Sequence, residues 1–208
     1  MRIELPGAEI DWIPGWLAAP DAEILRLQLI DQVDWEVHRI RLFGREVDSP
    51  RLSSWIGDAQ AHYRYSGADF VSRPWPPALQ PLRQRLRAEL GADFNSVLVN
   101  RYRDGRDAMG WHSDDEPELG PAPLIASLSL GAPRRFVFKH RHDATLKREL
   151  LLGHGDLLLM AGQTQRDYRH ALPRTARPVG ERINLTFRRI LPLQERLQPR
   201  PREGGGRG

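Results

Sequence analysis

Arg182-Ile183-Asn184-Leu185-Thr186-Phe187-Arg188 alternates polar and apolar residues without a break. Successive side chains of a strand point to opposite faces. Arg182, Asn184, Thr186 and Arg188 therefore share one face, and Ile183, Leu185 and Phe187 share the other. Two arginines and an asparagine turned toward a barrel interior are costly unless an anion is bound there. A dicarboxylate satisfies them, because arginine pairs with carboxylates bidentately. The other reading of the same pattern is the exposed polar face of an edge strand.

The sequence leading to this strand has one texture from Phe94 onward. Ser96–Tyr102, Leu124–Leu130, Phe136–Phe138, Asp156–Ala161 and Ile183–Ile190 are short apolar runs broken by Gly, Pro and Asp. Many short strands with such turns predict a sandwich or barrel. Before Phe94 the pattern differs. From Pro20 to Val33, Ile24, Leu25, Leu27, Leu29, Ile30 and Val33 form a broad apolar stripe, which predicts a helix. Val37–Phe43 alternates loosely and ends at Gly44, as a strand and turn would. From Pro77 to Leu90, Leu79, Leu82, Leu86 and Leu90 share one helical face, and Gly91 sits where a left-handed terminator belongs. The expected fold is mostly β with flanking helices (α+β), a double-stranded β-helix (jelly roll) with the N-terminal helices packed on one sheet. One domain is expected over 1–193, with 1–93 preceding a β core at 94–193 and a disordered tail at 194–208.

Bulk composition narrows the chemistry. The chain has 208 residues, enough for one well-packed domain. It has no cysteine, which excludes disulfides, zinc–thiolate sites, iron–sulfur clusters and thiol nucleophiles. Any metal must be held by His and carboxylate. The net charge is +4, and lysine occurs only at Lys139 and Lys147, so nearly all the positive charge is arginine. An arginine-rich surface suits a polyanionic partner; genome composition explains the same bias equally well. No run of about 18 apolar residues exists, so no membrane span is expected. The start of the chain lacks the basic-then-apolar pattern of a signal peptide. A cytoplasmic or, in a eukaryote, nuclear location is the default.

Trp111-His112-Ser113-Asp114-Asp115-Glu116 carries the candidate metal ligands. On an extended strand His112 and Asp114 point the same way, so an imidazole and a carboxylate converge. His170 is the leading third ligand. Two His and one carboxylate on one face of an ion leave positions open for co-substrate and oxygen, the arrangement of non-haem Fe(II) oxygenases. His38, His62, His140, His142 and His154 compete for the third place. His140 and His142 lie in a basic stretch that reads as surface, and His154 lies in a turn.

Taken in order, Asn100-Arg101-Tyr102, His112 through Glu116, Ile125 through Gly131, His154 through Leu158, His170 and Arg182 through Arg188 resemble the AlkB family of 2-oxoglutarate dioxygenases, from about Phe43 to Ile190. Within it the chain is most similar to the branch of the animal DNA-repair homologues. The resemblance implies that His112, Asp114 and His170 ligate Fe(II). It implies that Arg182 pairs with the distal carboxylate of 2-oxoglutarate and that Arg188 holds the keto-acid end. Asn100, Tyr102 and Asn184 would complete the co-substrate pocket, and O2 would be consumed. Asp115 and Glu116 would reach the substrate base. Pro50 through Trp55, Gly57-Asp58 and Tyr63 through Gly67 resemble the family's substrate lid, with Tyr63 or Tyr65 stacking on the base. Leu42-Phe43-Gly44 resembles the wedge of the duplex-acting branch. Trp111 through Pro117 resembles the branch preferring single strands, which leaves strand preference open.

The activity this implies is oxidative demethylation of bases such as 1-methyladenine and 3-methylcytosine, releasing formaldehyde and succinate. Both bases are cationic at neutral pH, which explains acids at 115 and 116. DNA is the expected partner and RNA a further one, with the protein a monomer. The rival readings are the same chemistry on RNA or protein, and a catalytically silent nucleic-acid-binding module.

Overall fold

A computed structural model describes the backbone of residues 1–42, 45–61, 63–65, 68–70 and 72–192, and side chains outside 40–46 and 62–71. The expected wedge residue Phe43 lies outside the described residues. The chain opens with β1 (Ala8–Ile13) and α1 (Ala19–Gln32). A hairpin, β2 (Arg39–Leu42) and β3 (Arg45–Asp48), leads to β4 (Leu52–Gly57), a second hairpin, β5 (Tyr63–Tyr65) and β6 (Ala68–Phe70), and then α2 (Gln80–Leu90). The rest is mainly strands: β7 (Ser96–Tyr102), β8 (Met109–His112), β9 (Ile125–Gly131), β10 (Arg134–His140), β11 (Lys147–Leu152), β12 (Leu157–Gly162), β13 (Tyr168–Leu172) and β14 (Arg182–Arg188). A single helical turn, α3 (Thr164–Asp167), precedes β13.

The strands form a six-stranded sheet, ordered β1-β12-β9-β14-β7-β4, and a four-stranded sheet, ordered β11-β10-β13-β8. All neighbours in both are antiparallel. Residues of both sheets share one core, with Ile10, Tyr102 and Met160 from the larger and Phe136, Phe138, Leu150 and Leu172 from the smaller. The outer face of the larger sheet carries a second core. There Leu25 and Leu29 of α1 and Leu82 and Leu86 of α2 cluster with Val97, Val99, Leu128, Ile183, Leu185 and Phe187. This is the expected jelly roll with helices on one sheet.

The sequence expectations differ in detail. β1 and β4 come from before residue 94 yet form the two edges of the larger sheet, so the expected boundary near 94 does not divide that sheet. The β4 stretch, expected to be lid, is a sheet edge. Its neighbour Asp58 is also structural: both carboxylate oxygens take Arg83, at 2.8 and 2.7 Å, and Oδ1 takes Trp75 Nε1 at 2.8 Å. The stripe of α1 is narrower than expected, since Ile24 and Leu27 are 56% and 53% exposed while Ala22, Leu25 and Leu29 are buried. α2 begins at Gln80, after a 3-10 turn at Pro77–Leu79 and not at Pro77, but its end is as read: it stops on Gly91 at φ 62°, whose N–H donates to Arg87 O at 3.0 Å.

His154-Gly155-Asp156 joins the N-terminal segment to the barrel. Asp156 accepts from Trp12 Nε1 at 3.0 Å and from Gly15 N at 2.9 Å. Gly155 has φ 82°, and a Cβ there would stand 2.1 Å from Leu17 O. His154 Nδ1 accepts from Gly131 N at 2.8 Å, while Nε2 lies 3.1 Å from Ala19 O. This histidine is thereby accounted for as a structural bridge. No helix among the described residues is long and apolar enough to cross a membrane.

Candidate metal and co-substrate site

The two imidazoles are brought together by strand pairing. His112 ends β8 and stands directly across from His170 on β13. Their rings meet edge to face, with centroids 4.2 Å apart. Phe136 of β10 stacks on the His170 ring at 5.3 Å. His112 Nδ1 donates to Gly110 O at 2.8 Å, since a carbonyl can only accept. That fixes the proton on Nδ1 and leaves the Nε2 lone pair for a metal.

Asp114 reaches the same point by a different route from the one its spacing suggests. β8 stops at His112, so Asp114 lies in the loop beyond the strand. Tertiary bonds place it. Its N–H donates to Gln165 Oε1 at 2.9 Å, and Arg188 Nη2 donates to its Oδ1 at 2.5 Å. Ser113 Oγ donates to Tyr168 O at 2.8 Å, which holds the loop against β13. One ligand atom from each of His112, Asp114 and His170 lies within 4.8 Å of the others. Among the described residues this is the one such group.

The electrostatics suit a divalent cation. Burial alone would raise the Asp114 carboxyl, but Arg188 above all, then the imidazoles, outweigh it and hold the group at about 2. Burial, reinforced by His112, pushes His170 down to about 3. His112 is lowered as well, chiefly by burial. At neutral pH the set is thus two neutral imidazoles and one carboxylate, the protonation states a metal requires.

The cavity behind these ligands is walled by both sheets. Leu98, Met109, Phe136, Met160 and Leu172 supply apolar surface, and Asn100, Tyr102, Ser127, Arg182, Asn184, Thr186 and Arg188 supply polar groups. β14 is a central strand, so its polar face is interior and the edge-strand reading is excluded. Arg182 is 1% exposed. Its Nη2 donates to Ser129 Oγ at 2.8 Å and Asn184 Oδ1 at 2.7 Å. Its guanidinium stands 5.4 Å from the Tyr102 ring centre. Among the described residues no carboxylate pairs with it, and burial pushes it down to about 10. A buried cation without an acid is what a dicarboxylate co-substrate would complete. Asn184 Nδ2 donates to Thr186 Oγ1 at 2.9 Å, so the polar face is internally bonded.

The substrate-side residues are distributed differently. Asp115 is exposed and pairs with Arg141, whose Nη2 also donates to Ser113 Oγ at 2.8 Å. It is thus not a free carboxylate beside the cavity. Glu116 is half-buried, just before the 3-10 turn Pro117–Leu119. Tyr63 and Tyr65 are the two ends of β5, paired with Phe70 and Ala68, and their side chains lie outside the described residues. Sequence reasoning missed Gln165 and Arg141, whose links to residues 113–115 span long stretches of sequence. It placed Arg51 in the lid stretch, whereas this buried side chain donates from Nε to Asn100 Oδ1 at 2.7 Å, at the co-substrate pocket.

A jelly roll holding two histidines and one aspartate about a single point has the ligand set of a non-haem iron oxygenase. The comparisons make this specific. The chain belongs to the 2OG-Fe(II) oxygenase superfamily, whose family model matches residues 9–188. Fe(II), 2-oxoglutarate and O2 are the metal and co-substrates this family implies, and the donor set and the acid-free Arg182 fit them. The chain is 42% identical over 165 residues to the DNA oxidative demethylase ALKBH2 of Mus musculus, covering 76% of this chain and 69% of that one. It is 41% identical over 206 residues to the Bos taurus ALKBH2, covering 94% and 73%. It is 36% identical over 188 residues to the alpha-ketoglutarate-dependent dioxygenase alkB homolog 3 of Homo sapiens, covering 86% and 65%. These relatives bear out the AlkB resemblance. The solved structure of OsALKBH1 superposes with a TM-score of 0.54 at 20% identity, covering 90% of this chain and all of that one, and supports the fold.

Proposed function

We propose that this protein removes alkyl groups from damaged nucleic-acid bases, in DNA above all, by Fe(II)- and 2-oxoglutarate-dependent hydroxylation. The observation that carries the reading is the convergence of His112, Asp114 and His170 within 4.8 Å, in a chain 42% identical to a DNA oxidative demethylase. His112 Nε2, the Asp114 carboxylate and His170 would hold the iron on one face. Arg182 would take the distal carboxylate of 2-oxoglutarate, and Arg188 the keto-acid end, while keeping its bond to Asp114. Asn100, Tyr102 and Asn184 would complete that pocket. With O2, the bound iron and co-substrate supply the oxidation that places a hydroxyl on the N-alkyl carbon, yielding succinate and carbon dioxide.

The protein's own contribution is to orient and to exclude water. Phe136, Met160, Leu172 and Leu98 line the cavity with apolar surface, which strengthens the charge–charge contacts within it. The hydroxylated carbon then leaves as an aldehyde, formaldehyde for a methyl group, restoring the base. 1-Methyladenine and 3-methylcytosine are the proposed substrates. Each carries positive charge, and Asp115 and Glu116 follow the metal ligand directly. Asp115 must share or release Arg141 to meet such a base.

Succinate and formaldehyde release, measured with methylated and unmethylated oligonucleotides of DNA and RNA, tests the proposal. Equimolar products stimulated by methylated DNA are expected. Succinate release stimulated only by RNA or by protein would reassign the substrate. No turnover with any of these, despite bound metal, would leave a silent binding module and refute the activity.

A further inference from the structure

Arg134 is a further deeply buried arginine beside the cavity, and it has no part in the chemistry above. It opens β10 and is 2% exposed. Its guanidinium donates to three backbone carbonyls: Asp104 O at 3.0 Å, Asp107 O at 2.9 Å and Pro173 O at 3.0 Å. The first two lie in the connection from β7, which carries Asn100 and Tyr102, to β8, which carries His112. The third directly follows β13, which carries His170. One side chain therefore ties together the connections of three strands that build the site.

Burial depresses its guanidinium, and Tyr102, Asp107 and Asp104 oppose that through space, but among the described residues none of these acidic side chains hydrogen-bonds to it. The nearby acids are engaged by other arginines: Asp107 accepts from Arg103 Nε at 2.8 Å and Nη2 at 2.9 Å, and Asp104 accepts from Arg106 Nη2 at 2.6 Å. Among the described residues the hydrogen bonds of Arg134 all go to carbonyl oxygens. Its guanidinium carbon stands 5.9 Å from the Tyr102 ring centre, and that of Arg182 stands 5.4 Å from the same ring. Arg182 is depressed first by burial; Tyr102 opposes this, and Arg134 adds to the depression. Two cations thus flank one buried tyrosine.

We infer that Arg134 is a positioning residue that makes the pocket selective for a doubly charged co-substrate: its charge, held behind Tyr102 by three carbonyls and not by a carboxylate, adds to the field Arg182 presents to the distal carboxylate. This rests on the co-substrate assignment for Arg182 and goes beyond it. A like charge beside Arg182 is unfavourable in the empty pocket. It becomes favourable once a carboxylate arrives, so the arrangement biases the site toward ligands carrying that second charge.

The test compares 2-oxoglutarate with 2-oxopentanoate, which keeps the keto-acid end and lacks the distal carboxylate. Binding of each to the Mn(II)-loaded protein is measured calorimetrically for wild type, Arg134→Gln and Arg134→Lys, with thermal unfolding as a check on folding. Arg134→Gln should weaken 2-oxoglutarate by about tenfold, the scale of one partly screened charge, and leave 2-oxopentanoate nearly unchanged. Arg134→Lys should recover most of the loss. In turnover, KM for 2-oxoglutarate should rise while kcat at saturation holds. Should Arg134→Gln fail to fold, Arg134→Met, which fills the volume without charge, takes its place with the same expectation. Equal weakening of both acids would mark Arg134 as a purely structural clamp, and unchanged 2-oxoglutarate binding would remove it from the pocket; either overturns the inference. If 2-oxoglutarate and 2-oxopentanoate bind wild type equally well, the assignment of Arg182 fails instead.

Discussion

Replacing Arg182 by methionine separates what this side chain does for the co-substrate from what it costs the fold. The guanidinium is 1% exposed, bonded to Ser129 Oγ and Asn184 Oδ1, and faces no acid among the described residues. Its charge is desolvated without a partner until a carboxylate binds. Methionine fills similar space, so the unliganded protein should lose little stability, or gain some, in denaturant unfolding. Binding should behave in the opposite way. Leaving one carboxylate of 2-oxoglutarate in a closed pocket with no cation costs about 2–5 kcal/mol, by analogy with broken buried charge pairs. That is a rise of roughly 30-fold to several thousand-fold in the dissociation constant. Calorimetry on the Mn(II)-loaded protein reads the constant directly, and the 2-oxoglutarate dependence of succinate release reads KM. An unchanged constant in a folded variant would refute the reasoning and remove Arg182 from the pocket.

The remaining predictions concern the metal, its support and the wedge. His112→Ala, Asp114→Ala and His170→Ala should each abolish turnover with the fold intact by circular dichroism; near-normal activity in His170→Ala would mean a different third ligand. Gln165→Leu removes the acceptor for the Asp114 N–H, found at 2.9 Å, and should weaken metal binding by about 10–100-fold, the usual effect of losing such a support. A metal titration matching wild type would show that the loop is held without it. Phe43→Ala should lower activity on methylated duplex DNA by about tenfold and spare single strands, since extruding a base costs least where it is unpaired. Equal losses on both substrates would indicate a folding defect rather than a wedge.

How much of this was readable follows from where the forces act. β14 was legible because its alternation is local and one face must be apolar. β4 was not: Leu52-Ser53-Ser54-Trp55-Ile56-Gly57 is buried on both faces, serines included, so it shows no alternation to read. β8 was obscured by its length of four residues and by Gly110. In α1, Ile24 and Leu27 added apolar residues where the fold needs none, and the stripe looked wider than the buried face. The metal set was legible as residue types, but the placement of Asp114 was not. Its position depends on Gln165 and Arg188, which no spacing rule connects to it. Arg134 was invisible for a related reason, since its partners are backbone carbonyls, which any sequence provides.

The site and the core depend on one register. Every residue from Arg182 to Arg188 pairs with β7, and all but the last pair with β9. Because the strand period is two, a slip of one residue would drive Arg182 and Arg188 under the helices and turn Ile183, Leu185 and Phe187 into the cavity. Two devices at the start of β14 oppose this. Glu181 accepts from Arg26 of α1 at 2.8 Å and from Arg101 of β7 at 2.6 Å, anchoring the strand from both sides. Gly131, at φ 86°, lets β9 pass where a Cβ would stand 2.4 Å from Glu181 O. The apolar layer beneath α1 and α2 therefore does more than stabilise the domain. By making the slipped register expensive, it fixes which side chains face the metal, and substitutions at Leu185 or Phe187, on the opposite face of the strand from the cavity, should loosen the co-substrate pocket before they unfold the protein.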